Sequence, residues 1–155
     1  MRAVIQRVES ATLHLVDASG ARSAHTHIDA GLVVLLGVAA DDTQKDAAWM
    51  ASKLAHMRIF EDADGKMNLG ALDCTPPGQA LVVPNFTVAG TAQKGRRPDF
   101  MGAMKPPEAG AMFERVCELI AAEGLEVQRG VFGADMRVEL INDGPITIVI
   151  ESPKN

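Results

Sequence analysis

The chain has 155 residues, 47% of them hydrophobic, and a net charge of -5 at pH 7, and a chain of that length buries about two-thirds of the surface it exposes unfolded, enough for a single domain over residues 1–155 with a proper core. No apolar run approaches the roughly 18 residues of a membrane span, and Gln6, Arg7 and Glu9 interrupt the opening apolar run too soon for a signal peptide, so the protein is expected in the cytoplasm, away from membranes. Two cysteines, Cys74 and Cys117, are too few for a disulfide framework and lack metal-type spacing, and the acidic balance argues against generic nucleic-acid affinity while leaving room for a local basic patch.

The opening "RAVIQRVESATLHLV" alternates well enough for one bent strand or two consecutive strands, with Val4, Gln6 and Val8 on one side and Ile5 and Arg7 on the other. "GLVVLLGVA", Gly31 to Ala39, is an apolar, β-branched run bounded by glycine and reads as a central strand buried on both faces. From Thr43 the period becomes helical: Ala47, Met50, Ala51, Leu54 and Ala55 share a face, Thr43 caps it with Asp46 three residues on, and the helix runs to about His56. "MRIFEDADGKMNL" predicts a short strand through Ile59 and Phe60 and a turn over Asp64-Gly65. "QALVVPNFTVAG", Gln79 to Gly90, is a further strand, but proline inside a strand implies an edge, a bulge or a special site at Pro84.

"KPPEAGAMFERVCELIAAEG" is the second helix, with proline in its first turn, Met112, Phe113, Val116, Cys117 and Ile120 on one face and Gly124 as the stop. "LEVQRG", "MRVELIN" and "ITIVIES" follow as strands, the last two separated by "NDGP", which reads as the tight turn of a final hairpin. The expected fold is therefore α/β: a curled, largely antiparallel or mixed, barrel-like sheet carrying two main helices.

The usual catalytic signatures are missing. There is no glycine-rich phosphate loop, no nucleophile elbow and no HExxH. His25 and His27 could ligate a metal from one strand face but have no third ligand nearby, so no metal and no cofactor are expected. Lys94, Arg96 and Arg97 form a basic cluster that is either a solvated loop or a phosphate contact. Two stretches stand out for their backbone, "VPNFTV" and "NDGPIT", with "GVFGADMRVEL" leading into the second.

"MRAVIQRV", "GLVVLLGV", "RIFED" followed by "GKMNL", "KGRRPDF", "GVFGADM" and "NDGPIT" stand in one order and spacing over nearly the whole chain. In this they resemble the D-aminoacyl-tRNA deacylases, also called D-tyrosyl-tRNA deacylases. One segment departs from the pattern: the family's Ser-Gln-Phe-Thr-Leu is here Pro84, Asn85, Phe86, Thr87 and Val88, so the serine hydroxyl and its N–H are lost and the amide side chain is one methylene shorter.

The resemblance implies hydrolysis of the ester joining a D-amino acid, or glycine, to the terminal adenosine of tRNA, with L-aminoacyl-tRNA spared. It implies a site at Asn85, Phe86 and Thr87 that works mainly through main-chain donors. It also implies a cis Gly144-Pro145 peptide, carried into the other subunit's pocket of a homodimer, that blocks L substituents. Arg7 is expected to hold the Gly144 and Pro145 carbonyls, Met136 to line the pocket or the dimer seam, Phe86 to pack near the terminal adenine, Asn142 to belong to the substrate-binding segment, and Lys94, Arg96 and Arg97 to meet acceptor-stem phosphates. Plain core or surface roles for Arg7, Met136 and Phe86 stay open. So do three other functions: a binding module that sequesters charged tRNA, a hydrolase with Thr87 as nucleophile, and a metal-dependent one using His25 and His27.

Overall fold

The computed structural model describes residues 1–93 and 95–154; Lys94 lies outside the described residues. Strands β1 (Arg2–Val16), β2 (Arg22–Ile28) and β3 (Gly31–Gly37) lead into helix α1 (Gln44–His56), followed by the small β4 (Phe60–Glu61) and β5 (Met67–Leu69), then β6 (Gln79–Pro84), helix α2 (Glu108–Ala122), β7 (Glu126–Arg129) and β8 (Met136–Glu151). The main sheet runs β2-β1-β3-β6-β7, with β8 on the other edge of β1. β1 pairs antiparallel with β2, β3 and β8, whereas β3-β6 and β6-β7 are parallel, so the sheet is mixed. It curls until its ends meet: Thr26 Oγ1 of β2 donates to Gln128 Oε1 of β7 at 2.6 Å. The curled, barrel-like sheet with two helices expected from the pattern is present.

Curling creates two cores. Ile5, Leu32, Val34 and Leu36 face Met50, Leu54, Phe113, Val116 and Ile120 of the helices, while Val8, Leu13, Ile28, Val33, Leu81 and Val83 fill the other side. β3 contributes to both, which explains its unbroken apolar run, and each such side chain contributes about 1.5–3 kcal/mol by burial. α1 buries the five residues its period singled out, Ala47, Met50, Ala51, Leu54 and Ala55.

Three expectations need correction. β1 does not keep Val8 opposite Arg7, because both are buried where its pairing with β8 shifts register on either side of Val8. The strand from Gln79 stops at Pro84, and Phe86–Ala89 forms a 3-10 turn, since the proline cannot extend the ladder. The final hairpin does not exist. "MRVELIN" and "ITIVIES" are halves of the one long β8, both paired with β1, and "DGPI" loops out between Val8↔Asn142 and Gln6↔Thr147.

The cap of α1 carries a pH dependence. Asp46 Oδ2 accepts from the Thr43 N–H and the Thr43 hydroxyl, each at 2.8 Å. Hydrogen bonds from Ser152 and from the Thr43 backbone hold the Asp46 carboxyl down to about 2. A lowered folded value means that the contribution is complete above the ordinary carboxylate value near pH 4 and is lost as pH falls toward 2. Asp46→Ala should cost about 1 kcal/mol at pH 7, roughly 2–4 °C in Tm, with wild type and variant converging near pH 2 in thermal unfolding.

Candidate active site

Where β6 ends, the Asn85 N–H donates to the Leu36 carbonyl at 2.8 Å and anchors the 3-10 turn that follows. Inside the turn the Val88 N–H reaches the Asn85 carbonyl at 3.2 Å and the Gly90 N–H reaches the Thr87 carbonyl at 3.1 Å. The N–H groups of Phe86 and Thr87, at the head of the turn, find no acceptor among the described residues. Among the described residues, two adjacent donors on exposed residues are therefore left to water or a bound ligand.

Beside them lies a cavity of about 600 Å³, walled by Leu35, Val83, Phe86, Phe132, Met136 and Val138, with Asn85 and Asp135 as its polar members. Larger space exists between α1 and the end of β8, about 650 Å³ around Trp49 and Ile150, but it holds none of the singled-out residues. Thr87 is exposed, and its hydroxyl donates to Asn85 Oδ1 at 2.7 Å. Asn85 thus orients Thr87, and no acid, histidine or lysine is hydrogen-bonded to that hydroxyl among the described residues.

Phe86 is 45% exposed and its ring lies 5.7 Å from that of Phe100, centroid to centroid, so it is not core filling. Between these two rings the chain makes a loop closed by reciprocal Thr91 and Asp99 backbone bonds of 2.8 and 2.7 Å, with Arg96 and Arg97 exposed on it. Arg96 and Arg97 therefore sit one short loop from the turn.

The "NDGPIT" segment is built differently. Asn142 mimics a backbone partner in both directions: its Oδ1 accepts from the Ile146 N–H at 2.9 Å and its Nδ2 donates to the Ile146 carbonyl at 3.2 Å, which pinches the loop shut. Gly144 has φ +126°, and a Cβ there would meet the Ile146 backbone nitrogen at 2.9 Å, so no L side chain fits. The Gly144-Pro145 peptide is cis, and both residues are exposed.

Arg7, 5% exposed, lies under this loop. Its Nη1 donates to the Ile59 carbonyl at 2.8 Å, and its Nε is 2.8 Å from Asp143 Oδ2, an ion pair more than an aligned hydrogen bond. In the single chain Arg7 thus grips the loop through Asp143, and neither the Gly144 nor the Pro145 carbonyl is among its acceptors. Asp143 lies inside the "NDGPIT" stretch that the sequence singles out, but its pairing with Arg7, remote in the chain, is visible only in the fold.

The structure brings Asn85, Phe86 and Met136 to one cavity and Arg7, Asn142, Gly144 and Pro145 to another place; neither Gly144 nor Pro145 lines that cavity. Other chemistries find little support. No group of three His, Cys, Asp or Glu side chains is placed to hold a metal among the described residues; His27 is instead beside Thr12 and Asp29. Burial pushes the Cys117 thiol up to about 12, and burial together with the Asp73 charge raises that of Cys74, so neither is an activated nucleophile.

A sequence profile described as D-Tyr-tRNA(Tyr) deacylase matches residues 4–151. Proteins called D-aminoacyl-tRNA deacylase from Myxococcus xanthus and Thermus aquaticus are 52% and 48% identical, over 99% and 98% of this chain and 95% of each relative. The one from Thermotoga petrophila is 45% identical over 99% of both chains. Among solved structures, a c-Myc DNA unwinding element binding protein superposes with a TM-score of 0.87 at 35% identity, covering 99% of this chain and all of that one. A probable eukaryotic D-amino acid tRNA deacylase does so at 0.78 and 19% identity, covering 96% and 97%, a likeness of fold. With a profile spanning nearly every strand and helix and relatives matched end to end, the chain belongs to the D-aminoacyl-tRNA deacylase family of hydrolytic enzymes.

Proposed function

We propose that this enzyme hydrolyses the ester of D-aminoacyl-tRNA and of glycyl-tRNA, releasing amino acid and tRNA, and spares L-aminoacyl-tRNA, so that it proofreads chirality for translation in the cytoplasm. The observation that carries the reading is the pair of unpartnered Phe86 and Thr87 N–H groups beside an apolar cavity. An aminoacyl ester is already activated; two fixed donors at the developing oxyanion, with the ribose 2′-hydroxyl beside it, supply what its hydrolysis needs. The cavity takes the terminal adenosine, with Phe86 as a stacking surface. The direct test is ester loss from D- and L-tyrosyl-tRNA, with and without chelator. Loss from the D ester alone, insensitive to chelator, is expected; binding without ester loss would make the protein a sequestering module, and chelator sensitivity would return His25 and His27 to the mechanism.

The enantiomer filter is the Gly144-Pro145 loop of a second copy. In one chain the loop stands apart from the cavity, and β8 exposes Ile141 and Val149, 55% and 60% accessible, along a strand whose one ladder partner among the described residues is β1. A two-fold homodimer covers that strand and delivers one protomer's carbonyls to the other's cavity. Light scattering checks it: a monomer with full activity would remove the filter in trans.

Thr87 contributes position. Thr87→Ala is expected to keep kcat within about 10-fold of wild type, whereas loss of a true nucleophile costs several orders of magnitude. An acyl-enzyme trapped on Thr87 and seen by mass spectrometry would overturn this.

Arg96 and Arg97, with Lys94, meet acceptor-stem phosphates. Arg96→Gln with Arg97→Gln should weaken tRNA binding and reduce the slope of log affinity against log salt by about 1–2, at unchanged D-versus-L preference. An unaltered slope would make the cluster an ordinary solvated loop.

A further inference from the structure

The turn that carries the Phe86 and Thr87 donors is anchored at its front by Asn85 on Leu36, but its own hydrogen bonds are long, and a four-residue 3-10 turn holds its shape poorly without outside support. Its back end is held from an unexpected place, the second residue of the chain. Arg2 Nη1 donates to the Val88 carbonyl at 3.2 Å and to the Gly90 carbonyl at 3.1 Å. Its Nε donates to Glu151 Oε1 at 2.5 Å, and Glu151 is its register partner across β1 and β8. The guanidinium is thus aimed by one carboxylate through Nε and gives its Nη1 to the carbonyls on either side of Ala89, a task for a planar group with several fixed donors. Gly37 completes the seat: a Cβ there would stand 2.6 Å from the Ala89 nitrogen, so the turn rests directly on the end of β3.

We infer that Arg2 is a positioning residue for the deacylation reaction, fixing the end of the Phe86–Ala89 turn so that the Phe86 and Thr87 N–H groups point where the oxyanion forms. It does not touch the cavity; the space that Arg2 lines, with Ala89 and Glu151, shares no residue with the cavity walled by Phe86 and Met136. The inference rests on the proposed role of those two donors. Donors fixed before the reaction cost no reorganisation in the transition state, so loosening them lowers kcat more than it weakens substrate binding. The bracing groups are Arg2 and Glu151, on strands that remain paired without them.

The test compares full-length wild type with Arg2→Met, Arg2→Lys and Glu151→Gln, following D-alanyl-tRNA hydrolysis together with binding of a non-hydrolysable D-alanyl-adenosine amide. Arg2→Met keeps the apolar stem and should lower kcat about 10-fold, a fraction of what deleting an oxyanion donor outright costs, with KM and analogue affinity within about 2-fold. Arg2→Lys, a single point donor, should fall between the two. Glu151→Gln leaves the arginine in place but unaimed and should lower kcat by less, with the same unchanged affinity, which keeps the test standing if Arg2→Met does not fold. A kcat within 2-fold of wild type in Arg2→Met, or a parallel loss of kcat and analogue binding, would overturn the inference. Wild type that fails to hydrolyse D-alanyl-tRNA at all would instead overturn the functional reading beneath it.

Discussion

Glycyl-tRNA is expected to be deacylated at a rate within about tenfold of D-alanyl-tRNA, while L-alanyl-tRNA is spared by well over the 10- to 200-fold that one methyl group decides in a soft pocket. A site that recognised a D side chain by complementary contacts would neglect glycine, which has nothing to fill them. The proposed filter acts by obstruction, so a substrate without a substituent passes. What makes obstruction strong is stiffness, and the loop around Gly144 is pinched by both Asn142 hydrogen bonds and tied to Arg7 through Asp143. Initial rates on the three esters at equal enzyme decide the matter. Glycyl-tRNA behaving like L-alanyl-tRNA would leave Gly144-Pro145 as a mere excursion of the strand. Gly144→Ala sharpens the comparison: its Cβ would collide with the Ile146 backbone at an L-disfavoured φ of +126°, so the loop must shift and L-alanyl-tRNA should be hydrolysed in greater measure.

Arg7→Met should damage both stability and selectivity. It leaves the Ile59 carbonyl without its donor and Asp143 without its cation, while the guanidinium's buried volume is refilled only in part. Breaking a fully buried pair costs about 3–5 kcal/mol, but the Asp143 side chain is 43% exposed and water recovers part of the loss, so about 2–3 kcal/mol, or roughly 5–10 °C in Tm, is the expected cost. Selectivity should fall further than stability, because the loop loses its tether. Asp143→Asn, which keeps the shape and removes the charge, should cost about 1 kcal/mol or less. Denaturant unfolding and D-to-L rate ratios on both variants are the measurements; stability and selectivity within error of wild type in Arg7→Met would assign Arg7 to an ordinary buried strand position.

Most of the fold is legible from the sequence because its signals are local. The α1 period, its Thr43–Asp46 cap, the apolar run of β3 and the helix stop at Gly124 each depend on residues within one or two turns. The errors fall where a distant partner decides. "NDGP" has the composition of a hairpin turn, and only the presence of β1 beside both flanks makes it an excursion within one strand. Pro84 was recognisable as an anomaly, yet that the chain folds into a 3-10 turn after it depends on Leu36 receiving Asn85. The site was legible as motifs and not as geometry: Asn85, Phe86 and Met136 converge on one cavity, but Arg2, Gly37 and Asp143, though they lie within the quoted motifs, show their contacts only in the folded chain.

The excursion in β8 also decides what can change in this chain. Between the regular ladders on its two sides, Gln6↔Thr147 and Ser10↔Ile141, β8 spends six steps where β1 spends four, an excess of two residues. On one side of it Met136, Val138 and Leu140 pack on the core around Leu13; on the other Ile146, Ile148 and Ile150 pack on the core that includes the helices. The loop is thus the corner at which one strand passes from one core to the other, and because the even excess keeps Met136, Val138, Leu140, Ile146, Ile148 and Ile150 on one alternation, losing a single residue from the ladder would turn a half-strand inside out. A lineage can retune or blunt these residues by substitution, but a one-residue deletion sets the two halves of the strand against each other. Whatever the loop does for selectivity, the architecture preserves the parity of its length.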